Sequence, residues 1–320
     1  MSNNYKLYSF ILEPLSAFST PIKGDTLFGM FVWQLAHNNK LLSTSFDNFI
    51  KDYKNNIPYI IFSSAYLYKN NFYYFNRPKF PVKKDCVTDF EAIKNRKLEK
   101  KKNYFKVSQN EIVENFNIEI NKNNFGKIDI IEEGVIHNKI SRQTFTTGEG
   151  TFAPYMTTKK YFPKMRNISI FVLVDETKIS LDSLKIALDN IGKQGYGKDA
   201  SIGMGKFKII DVLACKLADN RSKKYYSLSP FVYDENDEFE DIYYEPFTRY
   251  GKHGDHAVFT GNPFKNPILM IDDGAIIIYD KAPDKIFVGK AIKNISRQFD
   301  GNVIHQGFSI IIPCKGDFVE

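Results

Sequence analysis

The sequence has little cysteine and almost no tryptophan, three Cys and one Trp in 320 residues. Cys86, Cys215 and Cys314 lie far apart and form no CxxC pair, which excludes a disulfide framework and a zinc knuckle and suits a reducing compartment. No apolar run approaches the ~20 residues of a membrane span. The short apolar stretch from Leu7 to Leu12, flanked by Lys6 and Glu13, is too brief and interrupted for a signal peptide. These absences predict a soluble, cytoplasmic chain with no membrane partner. With 43% hydrophobic and 25% charged residues, a wholly disordered, collagen-like or coiled-coil chain is excluded as well.

What the chain has in quantity is positive charge and aromatic rings. Lys plus Arg number 44 against 37 Asp plus Glu, a formal +7, which favours a polyanionic partner such as nucleic acid. The wealth of Lys, Asn, Ile, Tyr and Phe is also what AT-rich coding produces, so net charge alone decides nothing. Phe and Tyr, 28 and 19, are numerous enough to fill cores and leave rings for stacking on bases. The length predicts two domains.

Residues 5–12 predict a strand, and a helix follows from about Asp25, whose side chain is placed to cap it, through Leu27, Phe28, Phe31, Val32 and Leu35. Residues 59–62 and 72–75 read as strands. Regularity then fades over residues 76–130, as expected of an insertion. Ile168, Ile170, Val172 and Val174 point to one face and Phe171 and Leu173 to the other, a strand covered on both sides. Ser180 caps a second helix built on Leu181, Leu184, Leu188 and Ile191, with Gly192 placed to end it, and Phe207 and Ile209 alternate with Lys206 and Lys208 in a closing strand. The series is β-α-β-β-α-β, the ferredoxin-like arrangement that also underlies RNA-recognition modules. Seven acids and no base occupy 233–245, and the short strand candidates 268–271, 275–279 and 303–312 follow. The fold class expected is α+β: two ferredoxin-like (RRM-like) domains, 1–218 with a hairpin-containing insertion at about 70–165, and a smaller, β-rich 219–320.

The densest feature is the run from Gly192 to Phe207, which holds five of the 19 glycines. Gly195, Gly197 and Ala200 match a dinucleotide fingerprint in spacing, but the run follows a helix and precedes a strand, the reverse of the order that motif requires. A nucleotide-triphosphate loop fails too, since Phe207 follows Lys206 where Ser or Thr should bind magnesium. What remains is permissive main chain framed by Lys193, Lys198 and Lys206, suited to cradling nucleic-acid phosphates; the alternative is a plain solvent loop. The seven bases between Lys94 and Lys106 suit either phosphate contact or a solvated helix face.

This loop, Gly195-Tyr196-Gly197-Lys198-Asp199-Ala200-Ser201-Ile202-Gly203-Met204-Gly205-Lys206-Phe207, closely resembles the glycine-rich loop of the RAMP superfamily of CRISPR systems. Thr20 to Gly29 resembles the loop entering the first helix of those proteins, and His137 to Thr144 resembles the N-x-I-x-R element of their protruding hairpin. The stretch Arg249-Tyr250-Gly251-Lys252-His253-Gly254, with Asn262 to Lys265 and Gly307-Phe308, is similar to the type III-A subgroup that supplies the fourth subunit of Csm complexes. The resemblance reaches both halves of the chain but leaves 70–130 unmatched. It implies a non-catalytic subunit that grips the 5′ tag of crRNA, docks the large polymerase/cyclase-like subunit and adjoins a neighbouring backbone RAMP subunit. The RNA-binding residues it and the composition suggest are Lys23, His137, Asn138, Lys139, Ile140, Arg142, Lys193, Gly195, Gly197, Lys198, Gly203, Gly205, Lys206, Lys252 and His253. Ile140, set between Lys139 and Arg142, suits a wedge between tag and guide.

Other RAMP proteins are metal-independent endoribonucleases that process precursor crRNA, so the five histidines need weighing. His137 with Lys139 and Arg142 could supply base, acid and cation for such cleavage. In a projecting hairpin His137 more simply stacks on RNA. His253 and His256 suggest two metal ligands, yet no further Cys or His completes a set. No cofactor, metal site or catalytic residue is expected.

Overall fold

The computed structural model describes residues 4–79, 94, 97–98, 101–128, 131–161, 167–217, 222–259, 261–296 and 303–316. Cys86 and most of the basic stretch between Lys94 and Lys100 lie outside the described residues. In chain order the elements are β1 (Tyr5–Pro14), α1 (Gly24–His37), α2 (Phe46–Lys54), β2 (Ile60–Lys69), β3 (Phe72–Asn76), β4 (Tyr104–Ser108), α3 (Gln109–Asn115), β5 (Ile118–Glu119), β6 (Phe125–Gly126), β7 (Ile131–His137), β8 (Tyr155–Tyr161), β9 (Asn167–Asp175), α4 (Leu181–Gln194) and β10 (Phe207–Cys215). The second half adds β11 (Lys224–Ser227), β12 (Asp241–Tyr243), β13 (Pro246–Arg249), β14 (Ile268–Ile271), β15 (Ile276–Ile278), β16 (Phe287–Gly289) and β17 (Phe308–Lys315). The α+β class is observed, with helices packed on antiparallel sheets.

The first sheet runs β10-β1-β9-β2-β3-β4-β6. The pairs β10/β1, β1/β9 and β9/β2 are all antiparallel, with α1 in the connection from β1 to β2 and α4 between β9 and β10. β9 is buried from Ile168 to Val174 on both faces, which is why its sequence is an unbroken apolar run. Each fully buried Leu, Ile or Phe of that run is worth ~1.5–3 kcal/mol in transfer from water. The 70–130 region, irregular in sequence, contributes β3, β4 and β6 to the far side of this sheet, and its β5 pairs in parallel with β17.

Two sequence expectations are corrected here. Asp25 does not cap α1: the helix begins at Gly24, the N-cap is Lys23 with no side-chain cap, and the Asp25 carboxylate turns inward to Arg249 and His305. Gly192 does not end α4, which continues to Gln194. Glycine stands there because a Cβ would fall 2.3 Å from the Phe207 carbonyl, so the helix can lie directly on β10. The Ser180 cap is present, its hydroxyl accepting from Ser183 N–H at 3.1 Å.

The second sheet, β12-β15-β11-β17-β16, carries no α-helix among the described residues of its half, and β13-β14 forms a separate ribbon. One continuous core joins the halves, including Phe62 and Phe171 from the first and Tyr226, Ile310 and Ile312 from the second. β2 carries an irregularity between Phe62 and Ala65 where it meets that core. The free main-chain groups are satisfied by side chains: Gln306 Nε2 donates to Phe62 O at 2.8 Å, Phe62 N donates to Gln306 Oε1 at 2.9 Å, and Phe171 N donates to Ser63 Oγ at 2.7 Å.

Candidate nucleic-acid interface

The connector between β1 and α1, residues 15–23, is the organiser of the site. It is bound on one side by the glycine loop: Leu15 N–H donates to Lys206 O at 2.8 Å, Gly205 N–H to Ala17 O at 2.7 Å, Lys206 N–H to Ser16 Oγ at 2.9 Å and Lys198 N–H to Thr20 Oγ1 at 2.9 Å. On the other side Phe18 exchanges both main-chain bonds with Lys160 at 3.0 Å, which anchors the base of the β7-β8 hairpin. The loop and the hairpin, some sixty residues apart in sequence, thus meet through one segment.

The glycine loop is more internally committed than its composition suggests. Gly195, Gly197 and Gly205 all adopt positive φ, and added Cβ atoms would meet Met204 O, Thr20 Oγ1 and Tyr196 O at 2.4, 2.2 and 2.2 Å respectively. These three glycines therefore let the loop fold onto itself and onto the connector. Tyr196 is the pin: its ring is buried, its N–H donates to Gly205 O at 2.9 Å, and its hydroxyl accepts from Lys23 N–H at 3.1 Å. Burial pushes its phenol well above the ordinary value. Gly203 differs, with φ of +90° and open space where a side chain would stand. Among the described residues, the N–H groups of Gly197, Asp199, Ala200 and Ser201 make no hydrogen bond, and the partly exposed turn carrying them is bracketed by exposed Lys198 and Lys206. Main-chain donors next to unpaired lysines suit the phosphate oxygens of a nucleic acid. Lys193 is exposed but pairs with Asp189 one turn earlier, at 2.5 Å.

In the hairpin, β7 pairs with β8 from Ile131–Tyr161 to His137–Tyr155. His137 stacks on Tyr155 with ring centroids 5.3 Å apart, and its Nε2 lies 2.8 Å from Thr157 Oγ1. Its ring is thus held within the hairpin. Asn138, Lys139, Ile140 and Arg142 are exposed beyond it, Ile140 at 61%. The sequence reading missed Phe145, exposed at 82% in the same tip and held at positive φ, and the apolar rank Ile136, Met156 and Tyr155 on the hairpin stem. Only a known hairpin register shows that these side chains stay out of the core.

Three suggested contacts are placed elsewhere. Lys23 is half-buried and its ammonium bridges Asp272 at 2.8 Å and Asp273 at 3.0 Å. Burial pulls its pKa down, but the two carboxylates outweigh that and hold it above the usual lysine value, so this cation is engaged inside the protein. His253 is buried, with Nε2 3.1 Å from Ser296 Oγ, and burial together with Lys265 keeps its pKa below the ordinary histidine value. Lys252 is exposed, its ammonium 5.0 Å from the Phe264 ring centroid. Both belong to the loop between β13 and β14, separate from the glycine loop.

No protein-family model matches the sequence, and none of the curated proteins does. Solved structures do. A chain of the Csm3–Csm4 subcomplex of a type III-A CRISPR-Cas interference complex aligns over 97% of this chain and 100% of its own, with a TM-score of 0.57 and 14% identity. Chains from Csm1–Csm4 cassettes in complex with pppApA and with cA4 align over 97% of this chain and 98% of theirs, with TM-scores of 0.54 and 0.55 and identities of 13% and 12%. The chain has their fold. The match is end to end, so both sheets and the connector are included, and Csm4 is the component that the three assemblies have in common. No helix among the described residues is long and apolar enough to cross a membrane.

Proposed function

We propose that the chain is a non-catalytic crRNA-binding subunit of a type III-A CRISPR interference complex, acting in the cytoplasm, gripping the 5′ tag of crRNA and docking the large polymerase/cyclase-like subunit beside a neighbouring backbone RAMP subunit. The observation that carries this reading is the end-to-end fold likeness to chains of assemblies sharing Csm4. The site supports it independently: open N–H groups at 197 and 199–201, exposed Lys198 and Lys206, and a hairpin rooted in the same connector and bearing Lys139 and Arg142. Phosphate contacts of this kind set register and affinity, while exposed Asn138 and Gln143 are suited in type to base edges.

The two-unit division at 218/219, with a ferredoxin-like fold in each, belongs to the same proposal. In its favour the first unit has the order β10-β1-β9-β2 with crossing helices, whereas the second would be a reduced version whose described residues keep strands but no α-helix. The absence of catalysis is favoured by His137, whose ring is occupied by Thr157 and Tyr155 rather than paired with a second titrating group.

The test is to purify the tagged chain from its own cells and sequence the RNA that accompanies it. The expected result is mature crRNA sharing one 5′ end, together with the large subunit. Precursor repeats cut by the isolated chain, with cutting lost in His137→Ala, would replace this reading with the endoribonuclease one.

A further inference from the structure

The densest group of titratable side chains outside the glycine loop lies where the first turn of α1 meets the loop joining β13 to β14. Asp25 is fully buried there. Its Oδ1 accepts from Arg249 Nη2 at 3.0 Å, its Oδ2 lies 2.7 Å from Arg249 Nε and 3.2 Å from His305 Nε2. The loop folds back over this cluster, with His253 N–H donating to Pro263 O at 2.8 Å and Lys265 N–H to Gly251 O at 2.9 Å. Gly251 allows the Lys265 stem to lie along it, since a Cβ would fall 3.2 Å from Lys265 Cδ, and Gly254 sits against the Trp33 indole in the same way.

The charges in this cluster do not balance. Asp25 is matched by Arg249, and burial joined by nearby cations holds both His253 and His305 below the ordinary histidine range, the pull of Asp25 on His305 notwithstanding. That leaves Lys265, whose ammonium makes neither a hydrogen bond nor an ion pair among the described residues. Burial draws it down to about 8, with Asp25 opposing, so it is still charged at neutral pH. A largely desolvated, unpaired cation is costly to a fold, and native structures that keep one use it. The Arg249 side chain retains 24% exposure, so its guanidinium, which spends one edge on Asp25, still reaches solvent. At the rim stand exposed Lys252 and the exposed rings of Tyr250 and Phe264.

We propose that Lys265 and Arg249 form a phosphate-binding site at this joint between the two halves, separate from the glycine loop, with Lys252 at its mouth. A compact tetrahedral anion supplies the acceptor oxygens that Lys265 lacks and that the free guanidinium edge of Arg249 is shaped to meet. The group has two possible sources, a diester of a bound strand or a free phosphate monoester. The site itself does not depend on the RNA-subunit reading.

Competitive acetylation of the intact chain, read lysine by lysine by mass spectrometry, tests it with inorganic phosphate as the probe against chloride at matched ionic strength. Labelling of Lys265 is expected to fall by about tenfold near saturation, while exposed Lys69 is unchanged. A single-stranded RNA with a 5′-hydroxyl is the second arm: protection by it alone assigns the site to a strand diester, and protection by phosphate alone assigns it to a monoester. Undiminished labelling in both arms overturns the proposal. Lys265→Met keeps the stem and removes the charge. It is expected to melt higher than the parent in chloride and to lose the thermal gain that phosphate gives the parent; an equal gain in both proteins also overturns it. RNA retention lost in Lys198 and Lys206 variants, with phosphate protection of Lys265 intact, would separate the two sites.

Discussion

The glycine loop and the hairpin share the 15–23 connector but use their residues in opposite ways. In the loop, the conspicuous residues face inward: Gly195, Gly197 and Gly205 are glycines because neighbouring atoms leave no room for a Cβ. In the hairpin, residues of ordinary type face outward, and Ile140, Phe145 and Met156 bury nothing of their own fold. Compositional prominence therefore marks close packing in one region, and the surface available to a partner is built largely from the less prominent other. The comparison separates substitutions that should act through stability from those that should act through binding.

The largest effect is expected inside the loop. Gly205→Ala sets a Cβ 2.2 Å from Tyr196 O at a φ of +71°, so both steric overlap and backbone strain oppose it, roughly 2–4 kcal/mol together. Gly203→Ala meets open space and bears the left-handed strain alone, about 1–2 kcal/mol. Thermal melts beside an RNA-retention assay check this, with Gly205→Ala losing RNA in step with its folded fraction. Equal melting losses at the two positions would erase the inward-outward distinction within the loop.

A smaller effect, and one confined to binding, is expected at the hairpin tip. Arg142 is exposed, so Arg142→Ala should leave the melting temperature unchanged and weaken RNA binding, with the log–log salt slope shallower by about 0.7 for one lost phosphate contact on a single strand. A loss of stability without a change of slope would place Arg142 with the packed loop rather than with the open hairpin.

The joint behind the loop should behave as the loop does, through stability. His305 is held below its ordinary pKa by burial, partly countered by Asp25 and reinforced by Lys265 and Arg249, and His253 by burial and Lys265. Below the unfolded-state value near 6.5 the unfolded chain binds protons that the native chain refuses, so the stability present above that value is lost as pH falls toward the lower native values. Melting temperature is expected to drop between pH 7 and pH 5, and less steeply in His305→Gln. Asp25 is also held low, by His305 and Arg249 against the desolvation that would raise it, and its loss of stability begins only below the ordinary carboxylate range. An identical pH profile in His305→Gln would remove that histidine from the account.

These contrasts also explain how much was legible beforehand. β9 and the Ser180 cap could be read because their causes are local: a two-faced apolar run, and a hydroxyl three residues from its donor. Asp25 was misread as a cap because its partners Arg249 and His305 stand 224 and 280 positions away, and Lys23 because Asp272 and Asp273 are equally remote. The glycine loop was located correctly as a feature, while the reasons for three of its glycines lie in the connector and in the loop's own far end. β3, β4 and β6 were seen only in part, since the core they complete is formed by strands distant in sequence.

The smallest expected effect on affinity carries the finest test of the comparison. Ile140 and Phe145 stand in the hairpin tip at 61% and 82% exposure, so packing of the hairpin onto its own domain does not account for them. Truncating either to alanine removes no buried area, and melting should be unchanged. If the tip enters the RNA path as a wedge, an apolar side chain occupies the space of a displaced base and offsets part of the lost stacking, ~1–3 kcal/mol per base, while Lys139 and Arg142 hold the flanking phosphates. Because the strand can restack when the wedge is removed, the net change in affinity of Ile140→Ala or Phe145→Ala is expected to be small. What should change is position: pairing with a target should extend toward the tag, and chemical probing of the first guide nucleotides in the assembled complex should show lowered reactivity there. Unaltered reactivity in both variants, with Arg142→Ala neutral as well, would take the hairpin out of the RNA path and leave the loop as the interface.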